Sequence, residues 1–164
     1  MTSKKNLARQ IRVKAHRLGK TIGVAESLTG GWVASSIVAI PGSSTILRGG
    51  IVAYQSAVKH ELLGVDVRLL SELGAVNKEV ASAMAEGAVR LFGADIAAAT
   101  TGFAGPEQES EGTNEAGTVF VGVAGSKSGT IVRHIALTGN RTAIRSKATN
   151  AALEAILEAL ETWS

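Results

Sequence analysis

The sequence predicts an α/β fold in which helices form two outer layers around a mixed, mostly parallel sheet, a three-layer α/β/α arrangement. Three observations carry this prediction. Segments with strand character alternate with segments of helical period along most of the chain. One pair of apolar segments flanks a glycine-rich turn, which predicts an antiparallel hairpin within the sheet. The 164 residues are 45% apolar and 19% charged, as in ordinary globular proteins, so we expect a single domain over residues 1–164.

The first half of the chain opens on a basic amphipathic segment. Leu7, Ile11, Ala15 and Leu18 recur at helical spacing, and Gly19 provides a helix end. A short apolar strand then leads into a tight loop and a helix, and a second strand and helix follow. The predicted elements are a helix ending at residue 18, a strand over 21–25, a loop over 26–31, a helix over 32–40 that Pro41-Gly42 ends, a strand over 47–54 and a helix over 56–63 closed by Gly64.

The second half begins with a helix that has both of its end signals. Asn77 stands at the N-cap position of a helix over 77–92, and Gly93 follows its last residue. A strand of small residues comes next, followed by a loop of unusual length, the hairpin and a long final helix. These elements are predicted over 94–100, 101–116, 118–124 paired with 130–137, and 141–160.

Charge is distributed unevenly along the chain, whose net charge is +3. The first 20 residues carry seven basic side chains and no acidic one, whereas the remaining 144 hold 10 basic and 14 acidic side chains. The simplest interpretation is a first helix with a solvated basic face. An organellar transit peptide and a phosphate-binding arm are the alternatives. We do not expect nucleic-acid binding. Binding through this helix would predict a strong affinity for DNA that falls as the salt concentration rises.

Composition also excludes several classes of protein and site. The chain has no cysteine, which removes disulfides, thiolate metal sites and cysteine nucleophiles. No apolar run approaches the roughly 20 residues of a membrane span, and the first residues lack the apolar core of a secretory signal. No group of histidines and acids has the spacing of metal ligands. We therefore expect a soluble cytoplasmic protein without a metal.

The loop over 25–31 is the first candidate for chemistry, since ligands of open α/β sheets sit beyond the carboxyl ends of strands. Ser27 stands at a strand-to-helix turn, and Gly30 and Gly31 permit close backbone approach with free N–H groups at a helix start. Such groups can hold an oxyanion. In the alternative interpretation, Ser27 and Thr29 only cap the following helix.

A serine nucleophile needs a base, and the second strand leads to one candidate. His16, His60 and His134 have no evident aspartate partner, so a Ser-His-Asp triad has little support. Lys59 follows the strand end at Tyr54, which leaves a Ser-Lys pair as the remaining option. A lysine acts as a base only when its pKa is pulled towards neutrality, so this hypothesis requires Lys59 to be buried near Ser27.

Two further segments have features of a ligand site. Thr101-Gly102-Phe103-Ala104-Gly105-Pro106 follows the small-residue strand and can lie against a flat or anionic ligand, although a plain turn explains it equally well. It lacks the lysine of a phosphate-binding Walker loop. Arg141 and Arg145 lie one turn apart at the positive start of the last helix. Their charge would be offset by a ligand phosphate or by a protein carboxylate, and both alternatives stay open.

Taken together, these segments resemble the C-terminal domain of the competence/damage-inducible protein CinA, a family whose stand-alone members are nicotinamide-nucleotide amidases. The resemblance covers nearly the whole chain. Its order and spacing are specific, whereas each motif alone is not. The segments that carry it are 25–31, 41–44, Arg48-Gly49-Gly50 running into Tyr54 and Lys59, 74–76, 101–106, 117–119, and Gly139-Asn140-Arg141 with Arg145.

The resemblance implies hydrolysis of the carboxamide of nicotinamide mononucleotide to nicotinic acid mononucleotide and ammonia, without metal or cofactor. It implies that Ser27 attacks the amide carbon, that Lys59 takes its proton, and that Tyr54 orients or relays that proton. Backbone near Gly30 or Thr101 would hold the oxyanion. The implied partners are the nucleotide and, as a homo-oligomer, further copies of the chain. The implied substrate-binding residues are Thr29, Gly30, Gly31, Ser44, Thr101, Gly102, Arg141 and Arg145.

The chain departs from the family pattern in three places. Leu28 stands where the family commonly has cysteine, and Ser56 stands where it has asparagine. The segment 107–116 carries four carboxylates where members usually have Gly-Gly and Lys-Pro. An acidic rim would oppose a phosphate-bearing ligand. The alternative function is therefore a catalytically weak nucleotide-binding or interaction module of the same fold.

Overall fold

The computed structural model describes residues 1–105 and 116–164, and it contains a five-stranded sheet flanked by helices. A short 3-10 turn, Ser43–Thr45, precedes the second strand. The helices and strands are, in chain order, α1 (Lys4–Leu18), β1 (Ile22–Glu26), α2 (Trp32–Val38), β2 (Leu47–Val52), α3 (Ser56–Leu63), α4 (Val67–Leu73), α5 (Lys78–Phe92), β3 (Ile96–Gly102), β4 (Thr118–Ser126), β5 (Gly129–Ala136) and α6 (Arg141–Glu161).

The strands lie in the order β2-β1-β3-β4-β5. β1 pairs in parallel with β2 and β3, and the β4–β5 hairpin is added antiparallel to β3. Within the described residues, four of the five strands run in one direction and β4 runs in the other. The prediction of a mixed, mostly parallel α/β sheet is confirmed, and the carboxyl ends of β1, β2 and β3 meet at one edge.

Two apolar clusters lie on opposite faces of the sheet and define the three layers. On one face α1, α2 and α6 pack against the strands through side chains such as Ile11, Ile37 and Ile156. On the other face, Leu63 of α3 and Met84 of α5 pack against the alanines of β3. The helical stripe predicted for α1 is buried at Leu7, Ile11 and Ala15, as the spacing indicated.

A glycine inside α5 lets α3 lie close to that helix. A Cβ atom at Gly87 would collide with the backbone carbonyl of Leu63, the last residue of α3. Glycine costs about 1 kcal/mol relative to alanine in a helix interior, so its presence indicates a packing requirement. The close contact fixes the position of α3, the helix that carries Lys59.

Helices with a predicted capping residue begin or end at that residue in the structure. Asn77 accepts a hydrogen bond from Val80 N at 2.8 Å, and Gly19, Gly64 and Gly93 adopt left-handed conformations after α1, α3 and α5. The hairpin turn is shorter than predicted, because Ser126 pairs with Gly129 directly. The strand boundaries differ from the prediction by one or two residues. The largest differences are in β3, which spans Ile96–Gly102 rather than 94–100, in β2, which ends at Val52 rather than residue 54, and in β4, which ends at Ser126 rather than residue 124.

Helix α4 is absent from the sequence prediction. Asp66 caps it by accepting from Arg68 N at 2.8 Å, yet none of its residues is buried. The helix has seven residues, fewer than the window of about 11–18 residues in which an apolar period is recognised, so the pattern did not reveal it. No helix among the described residues has the length and apolar character required to cross a membrane.

Candidate active site

Ser27 directly follows β1 at the carboxyl edge of the sheet, and β3 holds it in place. Its backbone amide donates to both the carbonyl oxygen and the Oγ1 atom of Thr100, at 3.1 and 3.2 Å. Thr100 Oγ1 also lies 2.8 Å from Thr29 Oγ1, and both threonines are fully buried. The turn that carries the serine is therefore tied to the neighbouring strand by buried hydrogen bonds.

The start of α2 is capped by a residue that the sequence analysis missed. The Glu26 carboxylate accepts from Val33 N at 2.9 Å and from Ala34 N at 3.1 Å, and Glu26 is 1% exposed. The alternative in which Ser27 and Thr29 cap this helix is therefore wrong. The expectation of free amides at the helix start is also wrong for Val33 and Ala34, since the carboxylate occupies both.

Glycines shape the rest of this turn. Gly30 and Gly31 have φ values of 57° and 96°, a region that favours glycine. Gly30 N donates to Ser27 O at 3.1 Å, which closes the turn onto the serine. The Gly30 amide, one of the donors expected for an oxyanion, is thus already used within the loop.

Lys59 reaches Ser27 from the first turns of α3. Its Nζ atom lies 3.0 Å from Ser27 Oγ and 2.8 Å from each of the carbonyl oxygens of Ala53 and Tyr54. The residue is 1% exposed, although a charged side chain is almost never fully buried without a partner. Burial lowers the pKa of the Lys59 amine from 10.5 to about 8, because removal from water disfavours the charged form.

The backbone carbonyl and the side chain of Tyr54 contact different residues of the site. Its carbonyl oxygen accepts from Lys59, while its side chain is 59% exposed. The phenol oxygen accepts from Arg141 Nη2 at 3.3 Å, and Arg141 Nη1 donates to Gly105 O at 3.3 Å. Arg141 therefore bridges the segment after β2 and the segment after β3.

Arg145 lies on the other side of the serine turn. Its Nε atom donates to Leu28 O at 2.8 Å, and its guanidinium carbon lies 3.9 Å from the ring centroid of Trp32. Among the described residues, neither Arg145 nor Arg141 forms an ion pair with a carboxylate. Both guanidinium groups are held by neutral acceptors among the described residues.

Three of the predicted substrate-binding residues make their described contacts with residues outside the Ser27 turn. Thr101 Oγ1 donates to Ala75 O at 2.6 Å, and Gly102 pairs with Val119 in the sheet. Ser44 is exposed and precedes β2, whose first residue Leu47 pairs with the first residue of β1. Ser44 therefore lies at the opposite edge of the sheet. Residues 106–115, which include most of the acidic segment predicted over 107–116, lie outside the described residues.

Sequence reasoning also missed Thr100 and Trp32. The signal for Thr100 was available, because consecutive strand residues point to opposite faces and only one of Thr100 and Thr101 can face the neighbouring turn. Choosing between them required the register of β1 against β3, which pairs Ala25 with Ala99. In the part of the chain that the structure describes, no group of acids and histidines is arranged to hold a metal ion.

Comparison with known proteins identifies the family. The model of the CinA C-terminal domain matches residues 4–160. The chain belongs to the CinA C-terminal domain family. A CinA-like protein of Mycolicibacterium vanbaalenii is 44% identical over 142 residues, which cover 87% of this chain and 33% of that protein. The chain thus spans about a third of the length of the curated relatives it matches.

Solved structures of CinA proteins share the fold. A competence/damage inducible protein of Agrobacterium tumefaciens has a TM-score of 0.89 at 32% identity and covers 97% of this chain and 99% of its own. The competence damage-inducible protein A of Klebsiella pneumoniae has a TM-score of 0.92 at 29% identity, over 99% of this chain and 100% of its own. The predicted family and the predicted fold class are confirmed.

Proposed function

We propose that this CinA domain is an amidohydrolase that converts nicotinamide mononucleotide to nicotinic acid mononucleotide and ammonia, with Ser27 as nucleophile and Lys59 as base. The observation that carries the proposal is the 3.0 Å contact between Lys59 Nζ and Ser27 Oγ, made by a buried amine whose pKa is about 8. A catalytic base is most effective when its pKa lies near the working pH.

The surroundings of the amine direct its lone pair. With three protons, Lys59 Nζ can donate to Ser27 Oγ and to the carbonyl oxygens of Ala53 and Tyr54. A neutral amine has two protons, and a carbonyl oxygen can only accept. The two carbonyls therefore take the two protons, and the remaining lone pair faces the Ser27 hydroxyl. This geometry makes Lys59 an acceptor for the serine proton as soon as it is neutral.

The reaction then follows with its protons balanced. Ser27 Oγ forms a bond to the carboxamide carbon while its proton passes to Lys59 Nζ. The Lys59 ammonium returns that proton to the leaving nitrogen, the C–N bond breaks, and ammonia departs from a Ser27 ester. Water then attacks the ester carbon while Lys59 takes its proton, the bond between the acyl carbon and Ser27 Oγ breaks, Lys59 returns the proton to Ser27 Oγ, and the carboxylic acid leaves. Activity should fall below pH 8, because the base is then protonated.

The substrate class rests on the family resemblance and on two cations. Arg141 and Arg145 lie on two sides of the Ser27 turn, and the guanidinium group of Arg145 is oriented by Leu28 O and the Trp32 ring. A planar guanidinium suits a phosphate. We propose Arg145 as the principal phosphate contact and Arg141 as the residue that holds Tyr54, whose proposed role is to orient the reacting group. Thr29, Gly30 and Gly31 stay predictions as substrate-binding residues, and the Arg145 guanidinium lies next to Gly30.

The contact between Lys59 and Ser27 also distinguishes this proposal from the alternative. A module that only binds nucleotides has no need for a buried amine beside a serine hydroxyl, and burying one without pairing costs stability. The contact thus favours an enzyme. Assembly as a homo-oligomer and a cytoplasmic location stay predictions.

The proposal is tested by the release of ammonia from nicotinamide mononucleotide. We expect Ser27→Ala and Lys59→Ala to lower kcat by about 10³-fold or more, as losses of a nucleophile or its base do. Lys78→Ala, which removes an exposed lysine at the start of α5, is the matched control and should keep wild-type activity. Equal release by all four proteins would refute the Ser-Lys mechanism.

A further inference from the structure

The proposed reaction needs donors for the negative oxygen that forms when Ser27 attacks the carboxamide. An oxyanion hole needs N–H groups that are not already bonded within the protein. The turn Ser27–Gly31 offers five backbone amides, and the structure shows the partners of two of them. Ser27 N donates to Thr100, and Gly30 N donates to Ser27 O. Both are therefore excluded as oxyanion donors.

Neighbouring candidates are occupied as well. The first amides of α2, at Val33 and Ala34, donate to the Glu26 carboxylate, and Trp32 N donates to Thr29 O. The hydroxyl of Thr101 donates to Ala75 O. The amides of Leu28, Thr29 and Gly31 make no hydrogen bond to any residue that the structure describes. Leu28 directly follows the nucleophile, and both it and Thr29 are buried.

We propose that the amides of Leu28 and Thr29 hold the oxyanion, and that Thr100 is the positioning residue that fixes them there. This inference rests on the proposed function of Ser27 as nucleophile. A buried amide without a partner costs about 1–3 kcal/mol, so two of them side by side next to a nucleophile indicate a site prepared for an oxygen of the ligand.

Thr100 controls the turn through two acceptors. Its carbonyl oxygen and its Oγ1 both accept from the Ser27 amide, which directs that amide towards β3 and away from the reacting group. Because an amide can only donate, Thr100 Oγ1 is an acceptor in this bond, and it shares one further hydrogen bond with Thr29 Oγ1. The Thr100 hydroxyl thus holds both Ser27 and Thr29, the residues on either side of Leu28.

The hydroxyl pair also carries one proton more than its described partners can accept. Thr29 and Thr100 together have two hydroxyl protons, and the bond between them uses one. The described residues offer no acceptor for the second proton, although both side chains are buried.

Removing the Thr100 hydroxyl would leave the Thr29 hydroxyl without its described hydrogen-bond partner. The turn would then be free to rotate the amides of Leu28 and Thr29 out of alignment.

The experiment measures the nucleophile and its oxyanion donors without relying on the identity of the substrate. An alkyl fluorophosphonate reacts with activated serines: the Ser27 Oγ–P bond forms, the P–F bond breaks, fluoride leaves and Lys59 takes the proton. Its negative phosphoryl oxygen occupies the oxyanion position. The rate of mass increase of the intact protein is compared for the wild type, Thr100→Val, Thr100→Ser and Thr149→Val, beside kcat and KM for ammonia release.

We expect Thr100→Val to slow labelling and to lower kcat by about 10- to 100-fold, with KM changed less than about twofold, since oxyanion donors act in the transition state. Thr100→Ser restores the hydroxyl and should recover most of the rate. The control Thr149→Val removes another buried hydroxyl, which donates to Arg145 O within α6, and should label at the wild-type rate. The pH midpoint should stay at about 8 in Thr100→Val, because Lys59 is untouched.

Three results would overturn the inference: unchanged labelling in Thr100→Val, an equal loss in Thr149→Val, or a moved pH midpoint in Thr100→Val. The last would mean that Thr100 acts through Lys59. Failure of the proposed function gives a different result. Wild-type protein that labels at Ser27 but releases no ammonia from nicotinamide mononucleotide would refute the substrate and leave the assignment of Thr100 supported by the labelling series.

Discussion

Two loops of this protein combine a buried serine with glycine, and they lie at opposite edges of one sheet. At the carboxyl edge, Ser27 Oγ lies 3.0 Å from the amine of Lys59. At the amino edge, Ser43 Oγ donates to the carbonyl oxygens of Ile37 and Ile40 at 2.6 and 2.7 Å. The two serines are 7% and 4% exposed, so burial does not distinguish them. What distinguishes them is the partner: local carbonyls make Ser43 structural, and an amine makes Ser27 a candidate nucleophile.

The largest expected effect is the difference between replacing Ser27, which should lower activity, and replacing Ser43, which should lower stability. Ser27→Ala should lower kcat by about 10³-fold or more while it changes the free energy of unfolding little. Ser43→Ala should keep activity within about twofold but lower the free energy of unfolding by about 1–2 kcal/mol, because it removes a donor from two buried carbonyls. Ammonia release and urea unfolding of both variants test the pair. A loss of activity in Ser43→Ala equal to that in Ser27→Ala would remove the distinction.

Lys59 should also make the stability of the protein depend on pH. Its pKa is lowered in the folded state, so the folded protein binds this proton less readily than the unfolded chain does. Stability is therefore reduced below pH 8 and recovers as the pH rises from about 8 to about 10.5. Relative to Lys59→Met, the wild type should gain about 3 kcal/mol of unfolding free energy over that interval. A pH-independent difference between the two proteins would contradict the lowered pKa.

Substitution of the buried cap of α2 should lower the free energy of unfolding more than substitution of the exposed cap of α4. The two carboxylate oxygens of Glu26 accept from Val33 N and Ala34 N. Glu26→Gln replaces one of these oxygens with an NH₂ group, which cannot accept, and should lower the free energy of unfolding by about 2 kcal/mol. Asp66→Asn at the exposed start of α4 should cost less than about 1 kcal/mol. Thermal unfolding of both variants provides the comparison. Equal losses would mean that Glu26 contributes no more than an ordinary cap.

The smallest effect concerns the substrate phosphate. Arg145→Ala should raise KM for nicotinamide mononucleotide by about 10-fold, since it removes a phosphate contact. Any fall in kcat should be the same for substrates with and without the phosphate, because Arg145 also binds Leu28 O in the peptide group that carries the Thr29 amide. Nicotinamide riboside lacks the phosphate and serves as the matched substrate, for which the variant and the wild type should have similar KM values. An equal rise for both substrates would show that Arg145 does not contact the phosphate and that its contacts with Leu28 and Trp32 are only structural.

Local chemistry made much of the fold predictable. Asn77, Gly19, Gly64 and Gly93 each determine a helix end through contacts within a few residues, and the structure has these ends where the sequence indicates them. The short helix α4 was missed because its seven residues span less than the window in which a helical period is recognised. Strand boundaries depend on pairing with distant residues, which explains why β2 differs from its prediction by two residues at one end and β3 by two residues at both ends.

The sequence could predict only those site residues that directly follow the ends of strands. Ser27 and Lys59 follow β1 and β2, and neighbouring parallel strands bring their ends together. Thr100, Glu26 and Trp32 act through register, a buried cap and packing between helices, none of which a linear pattern expresses. Ser44 was misplaced for the same reason, because a short Ser-Gly motif does not indicate at which edge of the sheet it lies.

The most direct test of the central claim is the pKa of the Lys59 amine in the folded protein. It can be followed by carbon NMR of protein labelled at the ε-carbon of lysine, with the signal assigned by its absence from Lys59→Met. A midpoint at about pH 8 is the expected result. A midpoint near 10.5, the ordinary value for lysine, in an active protein would contradict the account, because the amine would then be protonated while the enzyme works.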